Sequence, residues 1–385
     1  MASNFEEKRG APAAVGAPLA SAEEEKIYVA SQWQLMWWRF RKHKMAVFSS
    51  VILIIMYVFV VFADFFGPYD PREADKRFIF APPQPILFVD AAGRFHVHPF
   101  TYTYTKEMDS DTLRVTYTYD TKTRYNVRFL AHGVPYKLLG LIPTDVHLFG
   151  TDEGGTLFLL GTDSQGRDVL SRIIHGGRIS LSIGLVGIAI SFFLGILFGG
   201  LSGYYGGTFD LVVQRVIEFL RSVPTLPLWM ALSAALPPRW PVTRVYFGIV
   251  IILSLLGWTG LARVVRGKFM SLREEDFVMA ARLVGASEVR IVFRHMVPSF
   301  ASHLIASLTM AVPGMILGET TLSFIGLGLQ PPAISWGVLL KGAQSIQVLA
   351  EAPWLLWPSV PIVVAVLAFN FMGDGLRDAA DPYAR

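Results

Sequence analysis

Glu319 is the residue of this chain whose type and surroundings most invite chemistry. It stands beside Ile316, Leu317 and Leu322, in a run where an unpartnered carboxylate costs a few kcal/mol. Two readings are open. Glu319, with Ser323 one turn later, could face a translocation cavity or a partner subunit. Alternatively it is a buried carboxylate bonded to backbone or Ser/Thr neighbours. No second acid or histidine in an apolar run forms a relay with it, which argues against proton pumping. His96-Val-His98 puts two imidazoles on one strand face; that is half a metal site at most, and without a third ligand it reads as an exposed pair. Arg167-Asp168 and Arg178 read as ion-pair anchors of an outer loop.

Absences narrow the chemistry further. Cysteine is lacking, which removes disulfides and thiolates. No Gly-x4-Gly-Lys-Ser/Thr loop is present, because Gly260 and Gly267-Lys268 are too far apart, so the chain has no phosphate loop for ATP. Nor is there a Ser-His-Asp grouping or a nucleophile elbow. The chain reads as a non-catalytic subunit without a cofactor or metal of its own.

The most informative stretch is Asp276 to Pro298, a polar segment between two apolar runs. Glu274, Glu275 and Asp276 favour a helix N-terminus. Good helix formers follow, Gly285 breaks the helix, and Ser287 can cap a second one that ends before Pro298. A stiff helix-turn-helix in such a place reads as a docking part, with Arg282, Arg290 and Arg294 available for rim contacts. A lipid-surface helix pair is the plainer alternative.

These residues need elements to hold them. The 385 residues are 52% hydrophobic and 17% charged, with mean hydropathy +0.44. This composition predicts an all-α polytopic membrane protein. Net charge is only +4, which offers no case for nucleic-acid binding. Residues 1–26 read as a disordered tail with no cleavable signal peptide. Residues 27–44 place Trp33, Met36, Trp37 and Phe40 at helical spacing before a basic end and predict an interfacial helix. Six transmembrane helices are expected, at 45–65, 179–202, 211–236, 245–265, 302–325 and 354–373; the third is weakest, because it carries Arg215, Glu218 and Arg221 before Pro224 and Pro227. Lysines and arginines near residue 42 and in 263–294 put both termini and the 374–385 tail in the cytoplasm.

Segment 66–178 then lies outside. Phe100–Tyr104, Leu113–Tyr119 and Arg124–Phe129 alternate with period two, and Asp109-Ser-Asp111 and Asp120-Thr-Lys122 supply turn signals between them. This predicts an inserted extracytoplasmic β-rich lobe. Gly195, Gly199 and Gly203, with Gly314 and Gly318, predict close helix packing, within the chain in preference to a partner. Phe149-Gly-Thr-Asp152 is echoed by Leu160-Gly-Thr-Asp163, with no repeat fold implied.

Ala280-Ala281, three residues, Gly285-Ala286 and then Pro298 resemble the EAA loop of ATP-binding-cassette importer permeases, with Met279 at the glutamate position. Five further stretches narrow the resemblance to the C-type permease of dipeptide, oligopeptide and nickel importers. They are Phe66–Pro71, Leu160–Arg172, Gly177–Gly184, Glu319–Pro332 and Gly373–Pro382. The resemblance covers 33–66 and 160–385 and implies a type I importer fold with a core at 179–373. It also implies coupling helices at 272–298, in which Met279, Ala280, Ala281, Gly285, Ala286, Arg290, Arg294 and Pro298 meet an ATPase. The partners it implies are a second related permease, two cytoplasmic ATP-binding subunits carrying ATP and Mg, and a periplasmic or surface solute-binding protein. The setting would be the bacterial inner membrane. Peptide is the leading substrate, with oligosaccharides or nickel as alternatives. An ion-coupled secondary transporter would need broken helices with intramembrane acids, and only Glu319 fits; a membrane-anchored binding module would use the β-rich lobe as its receptor.

Overall fold

The computed structural model describes residues 31–108 and 115–380. The tail expected at 1–26, the turn at Asp109-Ser-Asp111 and the last five residues lie outside the described residues.

Helix α1 (Gln32–Lys42) begins at Ser31, whose hydroxyl accepts the Gln34 N–H while the Gln34 side chain bonds back to the Ser31 N–H. This reciprocal pair satisfies two donors that a helix start leaves open. The chain turns at His43, whose Nδ1 accepts the Ala46 N–H and so caps α2 (Lys44–Val61). The aromatic helix is thus separate from the first span. Phe40 packs with Ala46 and Ala379, while Trp33 and Trp37 stay exposed.

After a short helix α3 (Ala63–Phe66) comes an antiparallel meander of β1 (Leu87–Val89), β2 (Phe95–Met108), β3 (Val115–Leu138) and β4 (Ile142–Thr151). Phe100 pairs with Asn126, Tyr104 with Tyr119 and Phe129 with Phe149. Asp120-Thr-Lys122 does not reverse the chain as expected. Tyr102 faces Arg124 and Tyr104 faces Tyr119, so residues 120–123 bulge opposite Thr103, held by the Lys122 N–H on the Asp120 carboxylate. An Asp side chain can bond the backbone two residues on in a bulge as well as in a reversal.

The helical body follows, with α4 (Val169–Tyr205), α5 (Gly207–Ser222), α6 (Thr225–Ala234) and α7 (Val242–Leu272). Next come α8 (Asp276–Leu283), α9 (Glu288–Arg290), α10 (Ala301–Phe324), α11 (Trp336–Lys341), α12 (Ile346–Glu351) and α13 (Ser359–Ala380). Among the described residues, five helical stretches are long and apolar enough to cross a membrane. The expected third span, 211–236, is not one of them. It breaks at Val223, which is extended (ψ 132°) ahead of Pro224, as the residue before proline prefers.

Glycine sets the direction of packing. Gly187 lies against Ser254, Gly195 against Leu261 and Gly203 against Arg266 and Phe269, so α4 and α7 run parallel. A Cβ at Gly203 would come within 2.6 Å of the Arg266 carbonyl oxygen. This glycine stripe packs within the chain, as expected. Between the parallel helices the chain returns in two pieces. Asp210 meets Arg266, Arg221 lies near Gly260, Trp229 packs beside Leu253, and Leu236 lies by Gly248. The core sits where α4, α7, α10 and α13 meet, around Leu181, Ile183, Ile249, Leu253, Ile316 and Ala365.

Candidate functional site

The 276–299 segment is built as a rigid turn. Helix α8 has Asp276 in its first turn and ends at Val284 in helical geometry. Gly285 then takes φ +78°. Its N–H bonds the Arg282 carbonyl at 2.9 Å, and the Ala286 N–H bonds the Ala281 carbonyl at 3.0 Å. This crossed pair closes a helix through a left-handed residue, the conformation that glycine adopts most easily. A Cβ at 285 would meet nothing within 4 Å, so backbone conformation, not space, calls for glycine. The Ser287 hydroxyl accepts the Arg290 N–H and starts α9. The chain then winds through a π-helical turn, Ile291–Met296, into Val297–Ser299.

The underside of the turn is fastened to three long helices. Val278, Ile291 and Met296 are buried with Ile196 and Tyr204 of α4, Val265 and Phe269 of α7 and Leu304 of α10. Arg282 stacks its guanidinium 5.1 Å from the centre of the Tyr204 ring, and the Tyr205 hydroxyl donates to Glu288.

The upper side is the reverse. Leu283 is 88% exposed, Val284 87%, Val289 68% and Phe293 59%. Met279, Ala280, Gly285, Arg290, Arg294 and Pro298 are exposed with them, whereas Ala281 and Ala286 are half-buried against the underside cluster. The coupling residues named from the sequence therefore share one turn, two of them as its footing. Leu283, Val284, Val289 and Phe293 were missed, although four large apolar residues around a glycine in a basic loop were a readable signal. Exposed apolar residues rimmed by arginine suit a protein surface.

Glu319 shows the opposite arrangement. It is fully buried and accepts hydrogen bonds from Ser335 at 2.7 Å, Ser323 at 2.8 Å and Ser180 at 3.1 Å. Each serine also accepts a backbone N–H, from Val338, Leu329 and Trp336 respectively. The carboxylate thereby fastens α4, α10 and the 325–338 loop together. The geometry is that of the serine-bonded reading.

At the other end of the bundle, Asp64 bonds His175 at 3.0 Å and Arg178 at 2.7 Å, which holds its carboxyl well below the usual range, the His175 hydrogen bond contributing most. Arg167 pairs with Asp163 at 2.8 Å. Asp168 forms no such pair among the described residues. It caps α4 by accepting the Ser171 N–H at 2.7 Å, and burial pushes its carboxyl up to about 6. His96 bonds Asp90 at 3.0 Å while His98 is exposed, and no three-ligand metal cluster occurs among the described residues.

Comparison with known proteins bears on the same residues. Residues 195–385 match the family described as "binding-protein-dependent transport system inner membrane component", and 31–83 match the "N-terminal TM domain of oligopeptide transport permease C". The oligopeptide transport system permease protein of Haemophilus influenzae is 41% identical over 61% of this chain and 73% of its own. The dipeptide transport system permease protein of Bacillus subtilis is 37% identical over 58% of this chain and 68% of its own. An inward-facing methionine ABC transporter chain aligns over 54% of this chain and 96% of its own, with 20% identity and a TM-score of 0.41. With helices of membrane-spanning length throughout its body and relatives matched over most of their length, the chain belongs to the inner membrane permease components of binding-protein-dependent transport systems.

Proposed function

We propose that this chain is one half of the translocation pathway of an ATP-driven importer of short peptides. A related permease would form the other half, and separate ATP-binding subunits would power both. The observation that carries this reading is the 276–299 turn, bolted underneath by Val278, Ile291 and Met296 and bare above at Leu283 and Val284. A stiff element passes on movement that a loose loop would absorb. Closure of two ATP-binding subunits would push on the turn and, through its footing, on α4, α7 and α10 together. Peptide as cargo is supported by the names of the relatives; oligosaccharides or nickel are the alternatives within the same transporter type.

The chain crosses the membrane six times in this reading. Parallel packing of α4 and α7 requires the intervening segment to return to the starting side, and α5 with α6 supplies that return in two pieces. Both termini and the 276–299 turn then lie in the cytoplasm, beside Arg263, Arg266 and Lys268. The sheet of β1–β4 lies outside, where a binding protein would deliver cargo.

The test is co-purification and uptake in the complete transporter. Gly285→Pro removes the N–H bonded to Arg282 and forbids φ +78°, and Ala281→Trp wedges the footing. Both are expected to lose the ATP-binding subunits and uptake together. Full assembly and uptake in both would refute the reading, and uptake that persists after inactivation of the ATP-binding subunits would favour an ion-coupled transporter instead.

A further inference from the structure

The polar contacts of the 276–299 turn converge on one place, the last turn of α4. Tyr204 and Tyr205 stand there side by side, their rings at 89° and 5.3 Å apart. Gly206 and Gly207 follow at φ +67° and +60°. The chain therefore leaves sharply, and the two rings stand at the tip of the helix. Each ring meets a different arm of the turn. The Arg282 guanidinium, from α8, lies 5.1 Å from the centre of the Tyr204 ring. The Tyr205 hydroxyl donates to the carboxylate of Glu288, the first residue of α9. Gly285 lies between the arms, so the two tyrosines hold both sides of the bend.

The apolar footing cannot do this alone. Val278, Ile291 and Met296 are buried against α4, α7 and α10 together. Such burial is non-directional; it resists lifting the turn away but sets no fixed angle against sliding or rotation. A cation over a ring face and an O–H···O bond do have a preferred geometry. Among the described residues no other side chain of the turn makes a hydrogen bond, ion pair or cation–ring contact with the long helices. One turn inside the tyrosines, Ser202 donates to Asp210 of α5, which also receives Nε and Nη2 of Arg266 of α7 at 2.5 Å each. A displacement of the α4 tip thus carries the ends of α5 and α7 with it. From that tip α4 runs unbroken for 37 residues, about 55 Å. It passes Ser180, bonded to Glu319, and Arg172, which donates to the Pro71 carbonyl, at its far end.

We propose that Tyr204 and Tyr205 are positioning residues that convert movement of the 276–299 turn into movement of α4, Tyr204 holding the first arm through Arg282 and Tyr205 the second through Glu288. This rests on the reading of the turn as the part driven by ATP-binding subunits and adds to it the side chains that pass the movement on. The docking residues Leu283 and Val284 receive the push; the tyrosines, on the opposite side, set its direction.

The experiment uses the complete transporter with its binding protein in proteoliposomes and measures ATP hydrolysed per labelled dipeptide taken up, together with the affinity for the ATP-binding subunits. Tyr205→Phe removes one exposed hydroxyl and should raise the ATP-to-peptide ratio about threefold, an effect within reach of one net hydrogen bond. Glu288→Leu should match it, and the two together should add nothing, because they break the same bond. Glu288→Gln keeps an oxygen that accepts the phenol and should leave the ratio near that of the wild type. Tyr204→Leu keeps an apolar side chain but loses the ring face, and should raise the ratio about twofold, multiplying with Tyr205→Phe. Affinity for the ATP-binding subunits should stay unchanged throughout. An unchanged ratio in both Tyr205→Phe and Tyr204→Leu would overturn the proposal while leaving the importer reading intact. So would a raised ratio matched by an equal loss of subunit affinity, which would make the tyrosines part of docking. Absence of ATP-dependent uptake by the wild-type transporter would overturn the importer reading, and the proposal with it.

Discussion

Two short regions of this molecule break the usual rule of burial in opposite directions. Around Glu319 a carboxylate is wholly inside; around Gly285 leucine and valine are almost wholly outside. The first departure is resolved within the chain, since three serine hydroxyls answer the carboxylate and three backbone N–H groups orient the serines. Nothing among the described residues answers the second. A buried polar group that is fully bonded is architecture, whereas an exposed apolar group on a rigid base is an unfinished interface. The difference tells apart a residue that holds the fold from one that waits for a partner.

The strongest way to break this comparison is to charge the exposed side. Leu283→Asp with Val284→Asp should weaken binding of the ATP-binding subunit by about 4 kcal/mol, roughly a thousandfold, if both are interface anchors. The unfolding midpoint of the isolated chain in micelles should hardly move, since neither side chain packs on its own fold. Glu319→Ala should do the reverse, lowering stability by about 3 kcal/mol through a cavity and three unanswered hydroxyls. Subunit binding should survive in the folded fraction. Equal effects of the two changes on both readouts would erase the distinction.

A third departure sharpens the same comparison at the end of the bundle away from the 276–299 turn. The Asp168 carboxyl is buried with Oδ1 unpartnered and is pushed up to about 6. Its folded value lies above its unfolded one, so the folded state binds the proton more tightly. That contribution is fully present below about pH 4 and is lost as pH rises through about 6, at most about 3 kcal/mol at 1.36 kcal/mol per unit. Asp168→Asn keeps an N-cap and should flatten the stability profile between pH 4 and 8; an unaltered slope would assign the pH dependence to other groups. Asp64, lowered by His175 and Arg178, slopes the other way, its contribution being lost as pH falls.

The smallest effect belongs to the turn itself. Gly285→Ala meets no atom within 4 Å, so its cost is that of a left-handed alanine, about 1 kcal/mol. Hydrogen exchange in α8 should quicken modestly, with subunit binding weakened far less than by Gly285→Pro. A cost as large as that of proline would mean that space, not conformation, fixes the glycine.

Much of this was legible because it depends on local chemistry. The Gly285 break, the Ser287 cap and the long apolar helices follow from residue type and spacing alone. The failures have physical causes as well. The 211–236 run is apolar enough for one helix, but Pro224 imposes an extended residue before it and divides the crossing. Asp120-Thr-Lys122 carries a turn signal that bulges and strand alike can use. The three serines around Glu319 come from residues 180, 323 and 335, and only tertiary packing brings them together. Leu283 and Val284 were hidden by a simpler bias, since apolar residues in a helix are read as core until the structure turns them outward.

The most direct measurement places a photo-cross-linking side chain at Val284 in the assembled transporter, with Val278 as the control one and a half turns away on the buried face. Cross-links from 284 to the ATP-binding subunit and none from 278 are the expected result. Cross-links from 284 to lipid or to the second permease alone would contradict the docking assignment.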